Sequence, residues 1–131
     1  QRTIEEKKEW FHQFKNSETS ICLVGYENSE LVGFVCSTKF REKKAYDQSL
    51  ETSVYISEKF KGRGFGKKLM FELITRLKST NIKNLYALIT YPNKTSVNLH
   101  KTLNFTKVGI LNNVGYKFKK YWSVHIYELK L

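Results

Sequence analysis

A strand-like run at residues 50–57 passes into Lys61-Gly62-Arg63-Gly64-Phe65-Gly66-Lys67-Lys68, and an amphipathic helical stretch follows at once. In the run, Leu50, Thr52, Val54 and Ile56 alternate with Glu51, Ser53, Tyr55 and Ser57, the period-two pattern of a strand. In the helical stretch, Leu69, Leu73, Ile74 and Leu77 share one face. The glycines between them let the backbone turn tightly and let a ligand come close without meeting a Cβ. The helix that follows points its free N–H groups and positive dipole end at the same place. Lys59, Lys61, Arg63, Lys67 and Lys68 surround it. Strand, loop and helix together read as a site for an anion such as a pyrophosphate.

The rest of the chain supplies a mixed α/β order. Residues 3–16 read as a helix, with Thr3 as N-cap, Glu5 and Glu6 in the first turn, and Ile4, Trp10, Phe11 and Phe14 as its apolar stripe. Runs at 20–27 and 31–40, split by Asn28-Ser29-Glu30, read as a hairpin. A charged loop covers 41–49. Residues 84–90 form a β-rich run, and 93–103 a short helix whose apolar members are Val97, Leu99 and Leu103. The last 27 residues, 105–131, read as two strands around a connection containing Gly and Asn. The predicted order is α-β-β-β-α-β-α-β-β, without internal repeat or linker.

Composition narrows the partners. A chain of 131 residues fits one domain, and 40% hydrophobic content with 15% aromatics supports a core, which excludes disorder. The net charge of +11 favours a polyanionic partner: nucleic acid, an acidic membrane or a phosphate-rich cofactor. Two cysteines, Cys22 and Cys36, exclude a disulfide-stapled module and read as small buried hydrophobes. No apolar run approaches the roughly 18 residues of a membrane span, and no signal-peptide pattern opens the chain. The expected setting is the reducing cytoplasm. His12, His125 and the cysteines show no metal-ligand spacing, so no metal is implied.

Three glycine-loop templates compete for residues 61–68. A P-loop needs four residues between its glycines, followed by Lys and Ser or Thr; Gly62 to Gly66 leaves three, and Lys68 fills the hydroxyl position. The dinucleotide fingerprint needs a further glycine where Lys67 stands, and a parallel βαβ unit where the upstream strands read as an antiparallel meander. The coenzyme A pyrophosphate loop, Gln/Arg-x-x-Gly-x-Gly/Ala, is matched at positions 61, 64 and 66, with Lys61 replacing the usual Arg or Gln.

With that loop, the chain resembles the GNAT N-acetyltransferase superfamily. Glu51-Thr52-Ser53-Val54-Tyr55-Ile56 resembles the fourth strand of that fold, and residues 92–105 are similar to its fifth-strand-to-fourth-helix segment. Ala45-Tyr46-Asp47, the run from Asn93 through Ser96-Val97 to Leu99-His100, and Gly115-Tyr116-Lys117 carry the likeness towards the phosphinothricin acetyltransferase group. It covers essentially all 131 residues, with four separated motifs in order. The fold it implies is a mixed, mostly antiparallel central sheet flanked by helices, one domain over residues 1–131. That domain would lack the family's first strand and helix. The chain opens at Gln1 rather than Met, so the expected native product is longer by about 30–40 residues on the usual domain scale. Asn104 stands where Gly is usual, and Phe118 where the group often carries His.

The resemblance implies roles residue by residue. The N–H groups of Gly62, Arg63, Gly64, Phe65, Gly66 and Lys67 would hold the pyrophosphate of acetyl-CoA, with Lys61, Arg63 and Lys67 adding attraction that salt screens. Val54, Tyr55 and Ile56 would bind pantetheine along a splayed strand, the backbone N–H groups polarising the thioester carbonyl. Asn93 and Ser96 read as a helix cap and, by resemblance, as pantetheine contacts as well. Glu51 would be the general base that takes the proton from the amine, since an ammonium cannot attack a thioester; the plainer reading is a strand-edge carboxylate paired with a lysine. His100 falls where many members place a Tyr that protonates the departing thiolate; its plainer reading is a helix-face His bonded to backbone or solvent. Tyr55, Tyr116, Lys117 and Tyr121 would border the acceptor.

The implied activity is acetyl transfer from acetyl-CoA to a small-molecule primary amine, in particular a small amino acid or analogue such as phosphinothricin or methionine sulfoximine. A protein N-terminus or a polyamine is the alternative acceptor. A different class, a basic nucleic-acid-binding module, would use the aromatics and lysines of Tyr116-Lys117-Phe118-Lys119-Lys120-Tyr121-Trp122, but it leaves the ordered motifs unexplained. The late strands are apolar enough to permit a homodimer.

Overall fold

Asn28 and Ser29 both take left-handed backbone angles, φ 51° and 66°, and this two-residue turn closes the first hairpin, β1 (Cys22–Glu27) and β2 (Glu30–Lys39). The computed structural model describes residues 17–131, so the helix expected at 3–16, its Thr3 cap and His12 lie outside the described residues. The chain continues through β3 (Ser49–Ile56), α1 (Phe65–Lys78), β4 (Asn84–Thr90), α2 (Lys94–Thr102), β5 (Thr106–Lys117) and β6 (Lys120–Lys130). Over these residues the element order matches the sequence expectation.

Six strands form one sheet in the order β1-β2-β3-β4-β6-β5. Every neighbouring pair is antiparallel except β3 and β4, which run parallel. One face of the sheet carries Val35, Leu50, Leu85, Ala87, Ile89 and Tyr127, all packed into one core with Met70, Leu73, Ile74 and Leu77 of α1. Burying each such leucine contributes about 1.5–3 kcal/mol. Met70 is fully buried, whereas Leu69, expected in the stripe, is only partly covered. Cys36 is buried and Cys22, its cross-strand partner, is half-buried.

Two boundaries differ from expectation. Helix α1 begins at Phe65, four residues before Leu69, so Lys67 and Lys68 sit in its first turn. The β5–β6 connection is Phe118-Lys119, both at positive φ (55° and 59°), not the earlier Asn-Asn-Val-Gly segment. That segment is instead an irregularity within β5, between Leu111 and Gly115, where the ladder to β6 shifts register. Asn104 adopts φ 70°, the left-handed conformation that Asn tolerates better than most residues.

The sheet opens at its centre. Parallel pairing between β3 and β4 covers only Ser49 with Asn84, Leu50 with Leu85 and Glu51 with Tyr86. Beyond it, β3 stays with β2 as far as Ile56, while β4 stays with β6 as far as Thr90. Gly33 of β2 permits that parting, because a Cβ there would lie 2.1 Å from the Tyr55 carbonyl oxygen. The end of β3 is thus drawn onto β2 and away from β4, leaving a fork.

Candidate active site

The loop after β3 is built around two left-handed glycines, Gly62 at φ 77° and Gly64 at φ 81°, a conformation costing other residues about 1–2 kcal/mol. Around both, the space a Cβ would enter is open. Gly64 is the N-cap of α1, and the first backbone bond of that helix is Lys68 N–H to the Gly64 carbonyl at 3.2 Å. Among the described residues, no carbonyl accepts from the N–H groups of residues 62–67. They lie at the positive end of a 14-residue helix. A second helix start stands nearby: Asn93 caps α2, its Oδ1 accepting from Ser96 N–H at 3.1 Å.

Between these two helix starts and the outer end of β3 lies a cleft of about 430 Å³. Val54, Tyr55, Ile56, Lys61, Gly62, Gly64, Phe65, Gly66, Lys67, Asn93 and Ser96 line it, so the structure brings together eleven of the twelve residues expected to hold the cofactor. Gly66 sets its width: a Cβ there would come within 3.4 Å of Leu99 and 3.6 Å of Ile56. Phe60, Thr95 and Leu99 also line it. Sequence reasoning passed over Phe60 and Leu99 because an apolar residue beside a glycine loop, or on a helix stripe, looks like core, and over Thr95 because a hydroxyl in the first turn of a helix looks like ordinary solvated surface.

Arg63 is the twelfth, and its side chain turns elsewhere. It reaches Glu27 at 3.1 Å and lies over the rings of Phe60 and Phe65 at 5.5 and 5.2 Å. Two other cations of the loop are paired with acids, Lys59 with Glu30 at 2.7 Å and Lys61 with Glu58 at 2.8 Å. The attraction for an anion therefore rests on the backbone N–H groups and on Lys67 more than on a ring of free lysines. The donor set and the open space over the glycines fit a pyrophosphate.

Glu51 lies on the opposite, outer face of the sheet at the root of the fork, paired with Thr38 on β2 and Tyr86 on β4. Burial pushes its carboxyl above the ordinary value, and the Arg41 guanidinium partly counters that. His100 is buried at 3% exposure and is not part of the cleft wall. Its Nδ1 lies 2.7 Å from the Ser96 carbonyl, to which it donates, and its ring stands edge-on to Phe105. Burial pushes its pKa below the usual value, disfavouring the charged imidazolium, and the bond to Ser96 partly counters that. Tyr55 is exposed on the outer face. Tyr116 and Tyr121 pair across the β5–β6 hairpin with ring centroids 4.9 Å apart, and neither they nor Lys117 lines the cleft.

The chain belongs to the acetyltransferase (GNAT) family, whose model matches residues 1–105. It is 39% identical over 105 residues to a phosphinothricin N-acetyltransferase of Streptomyces coelicolor, covering 80% of this chain and 61% of that protein, so it spans about three fifths of that relative's length. Among solved structures, ribosomal-protein-alanine N-acetyltransferase from Brucella melitensis superposes with a TM-score of 0.93 at 28% identity, over 99% of this chain and 80% of that one. A Salmonella typhimurium protein solved with its cofactor acetyl-CoA gives 0.91 at 26% identity, over 99% and 76%. Among the described residues, no helix is long and apolar enough to cross a membrane, and no group of His, Cys, Asp or Glu could hold a metal ion.

Proposed function

We propose that the protein transfers an acetyl group from acetyl-CoA to the primary amine of a small molecule, an amino acid or close analogue of the phosphinothricin or methionine sulfoximine kind. The observation that carries this reading is the run of N–H groups over residues 62–67 that no carbonyl among the described residues engages, at the start of α1 and facing a cleft that leads to the fork. The N–H groups of Gly62 to Lys67 hold the pyrophosphate, and Lys67 adds charge. Val54, Tyr55 and Ile56 offer the outer end of β3 to the pantetheine arm, with Asn93 and Ser96 on the facing helix start. Bound there, acetyl-CoA supplies an acetyl group already activated as a thioester.

Glu51 does the proton chemistry. Standing at the root of the fork with a carboxyl raised by burial, it accepts a proton from the acceptor ammonium and leaves a neutral amine able to attack. Tyr55, on the same face, borders the acceptor. His100 supports the site from beneath, fixing the first turns of α2 through Ser96. The exposed apolar side chains of β5, among them Val108, Ile110 and Val114 on the outermost strand, suit a homodimer through the late strands. Sedimentation at micromolar concentration checks that point, and a monomer there refutes it.

The likeness to a ribosomal-protein-alanine acetyltransferase supports a second acceptor, a protein N-terminus. Calorimetric titration of acetyl-CoA at two salt concentrations, followed by a screen of amino acids and of alanine-terminated peptides, tests both. Micromolar, salt-weakened binding with transfer to amino acids is expected. Transfer to peptides alone favours the second reading. No acetyl-CoA binding by folded protein overturns the proposal, and salt-sensitive RNA binding in its place would assign the positive surface to nucleic acid.

A further inference from the structure

Glu51 belongs to a row of side chains that crosses the outer face in register: Thr38 on β2, Glu51 on β3, Tyr86 on β4 and Glu128 on β6. Tyr86 does not use its hydroxyl towards Glu51. The phenol donates to Glu128 Oε2 at 2.8 Å, and Lys130 Nζ lies 3.7 Å from the same oxygen. The Tyr86 ring packs against Phe40 with centroids 4.9 Å apart and planes at 35°. Tyr46 stands edge-on to Phe40 at 6.2 Å. Tyr86 and Phe40 are each only half-buried, so part of this aromatic surface is left open.

An amine from which Glu51 takes a proton must approach to about 3 Å. Neighbouring strands stand only about 4.8 Å apart, so the Tyr86 ring is within reach of the carbon skeleton behind that amine. The ring presents carbon there, because its polar end is held by Glu128, two strand positions away from Glu51.

We propose that Tyr86, latched by Glu128, is the specificity-determining wall of the acceptor site and selects primary amines with a long side chain, whose carbons can lie against the ring, over those with a short one. The inference rests on Glu51 as the base of the reading above. Tyr86 touches the acceptor; Glu128 acts through it and is a positioning residue. With the latch broken, the phenol is free to turn and hydrogen-bond the Glu51 carboxylate, competing with the amine for the base.

The test compares acetyl transfer to glycine, L-leucine and L-phenylalanine by the wild type and by Tyr86→Val, Tyr86→Phe, Glu128→Leu and Glu128→Gln. The wild type should favour leucine and phenylalanine over glycine by at least about tenfold in kcat/KM, or about 1.4 kcal/mol. Tyr86→Val should lose about that ratio, through KM, while Tyr86→Phe keeps it. Glu128→Leu should raise KM for all acceptors, and Glu128→Gln, whose amide oxygen still accepts from the phenol, should restore it. The Kd for acetyl-CoA should be the same in all five proteins. A wild type without the preference, or a ratio unmoved in Tyr86→Val, overturns the proposal. If Tyr86→Val fails to fold, the two Glu128 variants decide: equal KM values in both overturn it. Acetyl-CoA binding without transfer to any amine would instead refute the reading of Glu51, and this inference with it.

Discussion

Glu51 and Tyr86 face each other across the last paired position of β3 and β4, and one residue further on the strands have parted. The candidate site is arranged about that point. The glycine loop and both helix starts gather at the open end of the fork, while the half-buried carboxylate and the aromatic wall occupy its root on the other face.

Glu51→Gln should lower kcat by about 10²–10⁴ with acetyl-CoA affinity intact. The wild-type rate should fall in acid with a midpoint above the ordinary carboxylate value, since burial raises this group, and the variant should lack that limb. The stability effect has the opposite sign. A carboxyl raised on folding stabilises the native state while protonated, and that contribution is lost as pH rises through the raised value. The uncharged isostere should therefore melt higher than the wild type at neutral pH. A pH–rate profile and a melting curve check both, and full activity at pH 7 would remove Glu51 as the base.

His100→Ala should cost about 2–5 kcal/mol, because it leaves a cavity beside Phe105 and frees the Ser96 carbonyl. Burial holds this imidazole below its usual pKa of 6.5, so the unfolded chain takes up the proton first, and stability should decline as pH falls below about that value. Chemical denaturation at pH 5 and pH 8 measures it. If His100 were the proton donor to the thiolate, its loss would abolish the alkaline limb of the rate profile; an unchanged limb with lowered stability is the expected result.

Gly64→Ala and Arg63→Ala should separate binding from architecture. Alanine at a residue held at φ 81° strains the N-cap by about 1–2 kcal/mol and displaces the N–H groups aimed at the cleft, so acetyl-CoA should bind more weakly. Arg63 is engaged with Glu27 and two phenylalanine rings, so its loss should lower the melting temperature slightly and leave the Kd nearly unchanged. Titration calorimetry on both variants decides; a large loss of affinity in Arg63→Ala would place its guanidinium on the cofactor.

Gly33→Ala should destabilise the protein by about 1–3 kcal/mol, since the added methyl meets the Tyr55 carbonyl oxygen at 2.1 Å. Relief of that clash moves β3 off β2 and narrows the fork, so acetyl-CoA affinity should fall together with stability. Equal affinity in the variant would show that the parting of β3 from β4 does not depend on Gly33.

The parts of this protein legible in its sequence are those that local chemistry dictates. Glycines at 62 and 64 announce a left-handed turn because few other residues adopt it cheaply, and Asn93 announces a helix start because its side chain satisfies the orphan N–H of Ser96. The alternation along 50–57 fixes which side chains of β3 share Glu51's face, and β4 was readable to its boundaries for the same reason. Long-range pairing decided the rest. That β3 and β4 pair for only three residues, that Arg63 turns to Glu27, that the β5–β6 turn is Phe118-Lys119, and that Tyr86 gives its proton to Glu128 while standing beside Glu51 all depend on partners up to 42 residues away. Periodicity tells which way a side chain points from its own strand, but only the register between strands decides what it meets there.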